Sequence, residues 1–418
     1  MAGDDSTQTA LLDARHLVAE CAISSLPDAV APHARQSLTQ VAARVLAALD
    51  QAELGVIVLG IDGLGWDMAA HNWRDSQLSC LTSTFPSIST TAWTTALTGV
   101  GVGEHGVVGM VYRLPDHDLI VDAAFARPHR WGTQGASNES DAALGRALTH
   151  VVRYQPTLFE RATAKGAHCV ALARELDTLP GPWARTVLRG ARRGCDQARD
   201  AAGYAAEAGD PLRLVRTVRA DVEATLAAGD ARRPILLWVY VNLDQHLHAK
   251  GYDNAAAEAV LEIEKIACDW AARGWIVIAH SDHGLVPAVL DPELVKLWDR
   301  LDSPAFCRLP SGGAGRTRWL YTLADKTAEV MSALRAGMAD KAFIVSREEL
   351  IGIGVFPDNP AIRERVGEVI AIARGPAFPH LDADAKFDHG ALSVAEMLVP
   401  LATWADLPAD RASRKGEA

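Results

Sequence analysis

Apolar residues fall into two rhythms along this chain. Gly55-Val56-Ile57-Val58-Leu59-Gly60-Ile61 is an unbroken apolar run closed by Asp62-Gly63. That is the pattern of a strand buried on both faces with a polar residue at its carboxyl end. Runs at 107–113, 168–173, 234–241 and 275–280 have the same character. Between them, segments 90–98, 156–165, 211–228 and 254–273 carry helical spacing; the first starts just past Pro86 and is stopped by Gly99. Strands alternating with amphipathic helices predict an α/β fold built on a doubly wound, mostly parallel sheet. Such sheets bind ligands beyond the carboxyl ends of their strands.

The pattern changes at both ends of this region. Residues 1–50 read as an N-terminal helical arm, Ala/Leu-rich from residue 8 and broken between Ser24 and Pro32. The catalytic core is expected over 51–285 and 385–405, with 286–384 as an inserted α+β subdomain. That insertion holds the Gly/Ser/Arg-rich stretch 310–316, strands at 317–322, 342–346 and 366–373, and a helix at 326–337. A last helix is predicted over 392–403, with Ser393 as N-cap and Glu396 three residues on. The tail from 406 is polar and is expected to fray.

Composition narrows the function. The 418 residues are 49% hydrophobic and 22% charged, enough for a large core, and the net charge is −11. An acidic chain does not suit capture of duplex nucleic acid, but it leaves room for a small phosphorylated substrate held by metal ions. The six cysteines form no C-x-x-C pair, which predicts reduced structural thiols, Cys80 among them. The N-terminus is acidic and no apolar run reaches the length of a membrane span, so a cytoplasmic location without membrane association is expected. Nothing in the pattern specifies an oligomeric state.

Candidate chemistry sits where the strands end. Asp244 and His248 are spaced i, i+4, which puts carboxylate and imidazole on one face of a helix, a zinc-type ligand pair. His246 points elsewhere by the same geometry. Asp282-His283-Gly284 follows a strand directly, and Gly284 is expected to supply the sharp turn that lets neighbours share one ion. Asp62-Gly63 has the same form, and His389 lies in a loop between Asp388 and Gly390. Ser87, Ser89, Thr90 and Thr91 offer hydroxyls at a helix start, where free N–H groups favour anionic oxygen. Each feature also has a structural reading: helix caps, strand-ending turns, a surface histidine. Together they supply three Asp, three His and a hydroxyl, the equipment of a two-metal site acting on a phosphate ester.

In order along the chain, these segments resemble the alkaline-phosphatase superfamily, in its type I phosphodiesterase/nucleotide pyrophosphatase branch. The resemblance runs from the early Asp62-Gly63, through a hydroxyl opening a helix that closes in Thr98-Gly99, to Glu104-His105-Gly106. Asp244-x-x-x-His248, Asp282-His283-Gly284 and the late His389-Gly390 complete it. It implies one divalent ion on Asp62, Ser89, Asp282 and His283 and a second on Asp244, His248 and His389. Zinc suits the mixed N and O ligands, with manganese and iron as alternatives. Counting back from Thr98-Gly99 places the nucleophile on Ser89, with Thr90 as its neighbour and competitor. The implied reaction is in-line displacement at phosphorus through a covalent phosphoserine. A phosphodiesterase is the first expectation; a phosphomonoesterase or phosphonate hydrolase on the same scaffold is the alternative. A catalytically silent metal-stabilised binding protein would lack a ligand or the nucleophile, and none is lost. Met110 stands roughly where nucleotide pyrophosphatases carry a phosphate-holding Asn, and the usual Phe-Pro-Asn-His after the nucleophile is absent, which leaves the substrate open.

Overall fold

Alternation of side chains along the first strand explains the layering of the protein. The computed structural model describes residues 2–125, 127–129, 131, 152–194, 201–228, 234–379 and 385–405. In the fully buried strand Gly55–Asp62, Val56 and Val58 enter one apolar core with Trp93, Leu97 and Trp238. Ile57, Leu59 and Ile61 enter a second core with Val215, Val222 and Ile263. Period-two alternation thus feeds both faces of one sheet. Helices Val41–Leu49 and Ser89–Thr98 cover the first face, and Pro211–Ala227 and Asn254–Ala272 the second.

That sheet has seven strands, in the spatial order Gln77–Thr82, Leu398–Trp404, Ile276–Ser281, Gly55–Asp62, Ile235–Asn242, His168–Leu172 and Arg192–Arg193. From Ile276–Ser281 onward every pairing is parallel. Asp62 lies level with Asn242, and Ile61 with Ser281, so three strands end together at one edge. The α/β, doubly wound, mostly parallel core is therefore present.

Two local expectations are corrected, and a stretch to which no element was assigned is resolved. Residues 392–403 do not form a helix: Val394–Met397 makes one turn and Leu398–Trp404 is a strand, antiparallel to both neighbours. Ser393 does cap the turn, and the Glu396 carboxylate accepts from Arg316 at one oxygen and from Ser393 Oγ at the other, but Pro400 cannot continue a helix. The ladder to Ile276–Ser281 starts at Leu401, just past that proline. The Gly-rich stretch 310–316 is largely strand: Cys307–Ala314 pairs with Thr317–Thr322 through two register shifts. A Cβ on Gly312 would lie 2.4 Å from the Trp319 indole nitrogen, so glycine admits that ring. Second, the run at 107–113 does not join the central sheet. Its strand, Val111–Leu114, belongs to a second seven-stranded sheet that joins strands from 111–128 to strands from 307–373. That sheet reaches outside 286–384. The tail from 406 and Cys195 lie outside the described residues.

The second sheet is tied to the first through a buried ion pair. Arg316 Nε donates to Glu396 Oε1 at 3.0 Å and Nη1 to the Gly375 carbonyl at 3.0 Å, while Ala391 N donates to the same glutamate oxygen at 2.9 Å. Arg316 is 1% exposed and Glu396 fully buried. Removing one member strands the other charge, which costs about 3–5 kcal/mol. Arg316→Met is expected to lower unfolding stability by about that amount in urea titration, whereas a change below about 1 kcal/mol would show that the pair contributes little. Among the described residues no helix is long and apolar enough to cross a membrane, and the five described cysteines are free.

Candidate active site

The three carboxylates arrive from three strand ends. Asp62 closes Gly55–Asp62, Asp244 opens the helix Asp244–Lys250 just past Ile235–Asn242, and Asp282 follows Ile276–Ser281. Each is bonded at one oxygen. Asp62 Oδ2 accepts from Tyr240 Oη and from Trp93 Nε1 (3.2 Å). Asp282 Oδ1 accepts from Gly63 N and His283 N, both at 3.0 Å. Asp244 Oδ2 faces His248 Nε2 at 3.1 Å. The remaining oxygens, Asp62 Oδ1, Asp244 Oδ1 and Asp282 Oδ2, are buried and accept no hydrogen bond. Buried polar atoms are normally paired, so three orphaned carboxylate oxygens in one place fit a cation.

The imidazoles are oriented to match. His248 Nδ1 donates to the Phe387 carbonyl (2.7 Å) and His389 Nδ1 to the Ser87 carbonyl (2.8 Å). Both rings therefore turn Nε2 inward, the arrangement that backbone carbonyls impose on metal-binding histidines. His283 stacks on His389 with ring centroids 3.5 Å apart. Its Nε2 lies 3.2 Å from Ser89 Oγ, 3.2 Å from Asp282 Oδ2 and 3.5 Å from Asp62 Oδ1. One ring nitrogen cannot serve three acceptors as a donor, but one ion could bind all four atoms. Donor atoms of Asp62, Asp282 and His283 lie within 4.8 Å of one another, as do those of Asp244, His283 and His389. The two groups share His283 and so adjoin.

Charge crowding shows in the ionisation. Burial, then Asp244, pushes Asp62 up to about 6. Burial, then Asp62, raises Asp282 well above the carboxylate range, and burial followed by His389 holds His283 well below the usual imidazole value. Burial also works against charge on His248 and Asp244, but their mutual attraction prevails: His248 is raised to about 10 and Asp244 is lowered. Such displacements mark a site organised around charge that the protein alone does not balance.

Ser89 is the first residue of helix Ser89–Thr98, and its Oγ opens onto the cleft lined by Asp62, Tyr240, Asn242, Asp244, Gln245 and His248. The cleft holds about 420 Å³. The competing hydroxyls are spent elsewhere. Thr90 Oγ1 donates to the Gly109 carbonyl at 3.0 Å, Thr91 Oγ1 bonds the Pro86 and Ile88 carbonyls, and Ser87 Oγ bonds the Ala391 carbonyl. The structure thus brings Asp62, Ser89, Asp244 and His248 to the cleft, with Asp282, His283 and His389 clustered against them. His246 stands apart, bonded to Asp253 at 3.0 Å. Met110 packs against the core.

Gly284 works differently from the expectation. It has no positive φ; a Cβ there would fall 2.0 Å from the Ala395 carbonyl oxygen, so glycine permits backbone-to-backbone packing. It is Gly63, at φ +81, that makes the left-handed turn. Sequence reasoning missed Tyr240 and Trp93, which look like ordinary core aromatics, and Asp388. The Asp388 carboxylate groups with His248 and His389 within the same 4.8 Å limit; its place beside His389 in Asp-His-Gly was the available signal.

His105, in the segment Glu104-His105-Gly106, does not reach the cleft. It is fully buried, accepts from Val107 N at Nδ1 (3.0 Å) and meets Thr95 Oγ1 at Nε2 (2.9 Å). Burial, helped by Arg365, lowers its pKa from 6.5 to about 3. The folded state thus excludes a proton that the unfolded chain binds below 6.5. Stability from this group is complete above that value and is lost, at about 1.4 kcal/mol per pH unit, as pH falls towards 3. In His105→Asn the loss of stability between pH 7 and 5, read by urea unfolding, is expected to be shallower by about 2 kcal/mol; identical slopes would rule the effect out.

A mostly parallel sheet thus gathers a hydroxyl, carboxylates and imidazoles at its strand ends. A family profile described as type I phosphodiesterase/nucleotide pyrophosphatase matches residues 56–391, and the chain belongs to that family of phosphoester hydrolases. Its fold is similar to phosphonoacetate hydrolase from Sinorhizobium meliloti 1021 in complex with phosphonoformate. That match has 17% identity and a TM-score of 0.56 and covers 85% of this chain and 91% of that one. It is also similar to murine ectonucleotide pyrophosphatase/phosphodiesterase 5, at 16% identity and TM-score 0.55, over 83% of this chain and 87% of that one. A mutant of alkaline phosphatase PafA matches at 12% identity and TM-score 0.52, over 85% and 91%. At these identities the likeness is one of fold. No curated protein matches in sequence.

Proposed function

We propose that this protein is a two-metal phosphodiesterase that acts on a small phosphorylated substrate through Ser89. The observation that carries this reading is the clustering of three orphaned carboxylate oxygens and three imidazoles beside Ser89, whose hydroxyl meets His283 Nε2 and opens onto the cleft. Asp62, Ser89, Asp282 and His283 would hold one divalent ion, and Asp244, His248 and His389 the other, with zinc favoured by the N and O donors. Bound there, such ions supply Lewis acidity, lower the hydroxyl pKa and neutralise charge on the transferred phosphoryl group.

The chain's own residues do the rest. The Ser89 oxygen attacks phosphorus in line, the bond to the leaving alkoxide breaks, and the phosphoryl group remains as an ester on Ser89. Water then attacks phosphorus, cleaving that ester and restoring the hydroxyl. The free N–H groups at the start of Ser89–Thr98 favour the anionic oxygens. Backbone bonds from Gly63 and His283 hold Asp282 still, and the Ser87 and Phe387 carbonyls hold His389 and His248. The free cysteines accord with a reducing, cytoplasmic setting.

The test is a panel of p-nitrophenyl phosphate, bis-p-nitrophenyl phosphate and p-nitrophenyl phosphonates with zinc-loaded protein. The diester is expected to give the highest kcat/KM. A clear preference for the monoester or a phosphonate would transfer the assignment to a phosphomonoesterase or phosphonate hydrolase.

A further inference from the structure

Asp62 is held differently from the other two carboxylates. Asp282 is fixed by backbone N–H groups and Asp244 by His248, a member of the site. Asp62 Oδ2 instead takes both its hydrogen bonds from neutral aromatic side chains, Tyr240 Oη and Trp93 Nε1. Trp93 is fully buried and Tyr240 is 5% exposed. Trp93 is one helical turn past Ser89, so a single helix presents both the nucleophile and one restraint on Asp62. Tyr240 sits on the adjacent strand, level with Gly60, two residues before Asp62 and on the same face of the sheet.

Gly60 makes this contact possible. A Cβ at Gly60 would lie 2.9 Å from both the Trp93 and Trp238 rings, so its absence leaves the indole a channel to the carboxylate. Edge-on contacts with Trp238, Tyr240 and His280, at centroid distances of 5.9, 5.9 and 5.3 Å, then set the direction of the indole N–H. With Oδ2 held twice, Oδ1 is the oxygen left to face His283 Nε2 and Ser89.

We propose that Tyr240 and Trp93 are positioning residues that compel Asp62 to offer a single oxygen, and thereby set how tightly the ion on the Ser89 side is held. The inference rests on the two-metal reading above. Outer hydrogen bonds of this kind are worth about 10–100-fold in metal affinity.

The experiment titrates full-length metal-free protein with zinc against a fluorescent chelator, comparing wild type with Tyr240→Phe and Trp93→Phe. Wild type is expected to bind two equivalents. Each variant is expected to weaken one equivalent by about 10–100-fold and leave the other unchanged, with turnover recovering in excess zinc. Tyr240→Phe removes only an oxygen, so it carries the test if Trp93→Phe fails to fold. Two unchanged equivalents in Tyr240→Phe would overturn the proposal. So would equal weakening of both alongside a lower unfolding midpoint, since that would be general loosening. A wild type that binds no zinc would instead overturn the reading of the site itself, and the proposal with it.

Discussion

Ser89→Ala is expected to lower kcat on the preferred phosphodiester by at least about 10³-fold, because loss of the attacking atom in covalent catalysis removes the pathway and not merely a contact. Its Oγ meets His283 Nε2 and opens onto the cleft. Deleting it should leave the unfolding free energy within about 0.5 kcal/mol of wild type. No neighbour can take over, since Thr90 and Thr91 direct their hydroxyls to backbone carbonyls. Thr90→Ala is the control: it disturbs a buried hydrogen bond and should cost stability while turnover survives. Stopped-flow assay of both variants with zinc decides the matter. Full activity in Ser89→Ala, or loss confined to Thr90→Ala, would refute the assignment.

Stripping divalent ions is expected to have an effect of similar size on turnover and a second effect on stability. The orphaned oxygens of Asp62, Asp244 and Asp282 repel one another in a buried space, and an ion bound only by the folded state offsets that repulsion. At a hundred times its dissociation constant, each ion stabilises by about 2.7 kcal/mol. Chelator dialysis should therefore abolish activity and lower the melting temperature by several degrees, and zinc should restore both. Calorimetry before and after readdition measures this. A melting temperature indifferent to chelator would count against two tightly held ions.

Much of this site could be read before the fold was known because parallel strands announce themselves twice, by unbroken apolar runs and by the polar residues that end them. Asp62, Asp244 and Asp282 were legible for that reason, and level strand ends turn their separate positions into one cleft. Where two local signals compete, the pattern misleads. Ser393 and Glu396 spell a helix start and do make one turn, but the chain then pairs with strands 77–82 and 276–281, so Leu398–Trp404 is a strand. The stretch 310–316 carried no strand signal, because glycine at 312 makes sense in a strand only once the Trp319 ring beside it is known. The supports of the site were the least legible. The Ser87 and Phe387 carbonyls carry no side-chain signature, and the hydrogen bonds of Tyr240 and Trp93 to Asp62 depend on contacts 178 and 31 residues apart.

The strand Leu398–Trp404 bears on how the chain is made as well as how it works. Gln77–Thr82, which leads towards Ser89, has among the described residues one strand neighbour in the central sheet, Leu398–Trp404. More than 300 residues must leave the ribosome between the two partners. Until the later one appears, the early segment has no place in the sheet, and an apolar edge waits open on Ile276–Ser281. Such long-range closure slows folding and prolongs exposure to aggregation. The segment that leads to Ser89 thus gains its strand partner in the central sheet only from a piece of chain made more than 300 residues later.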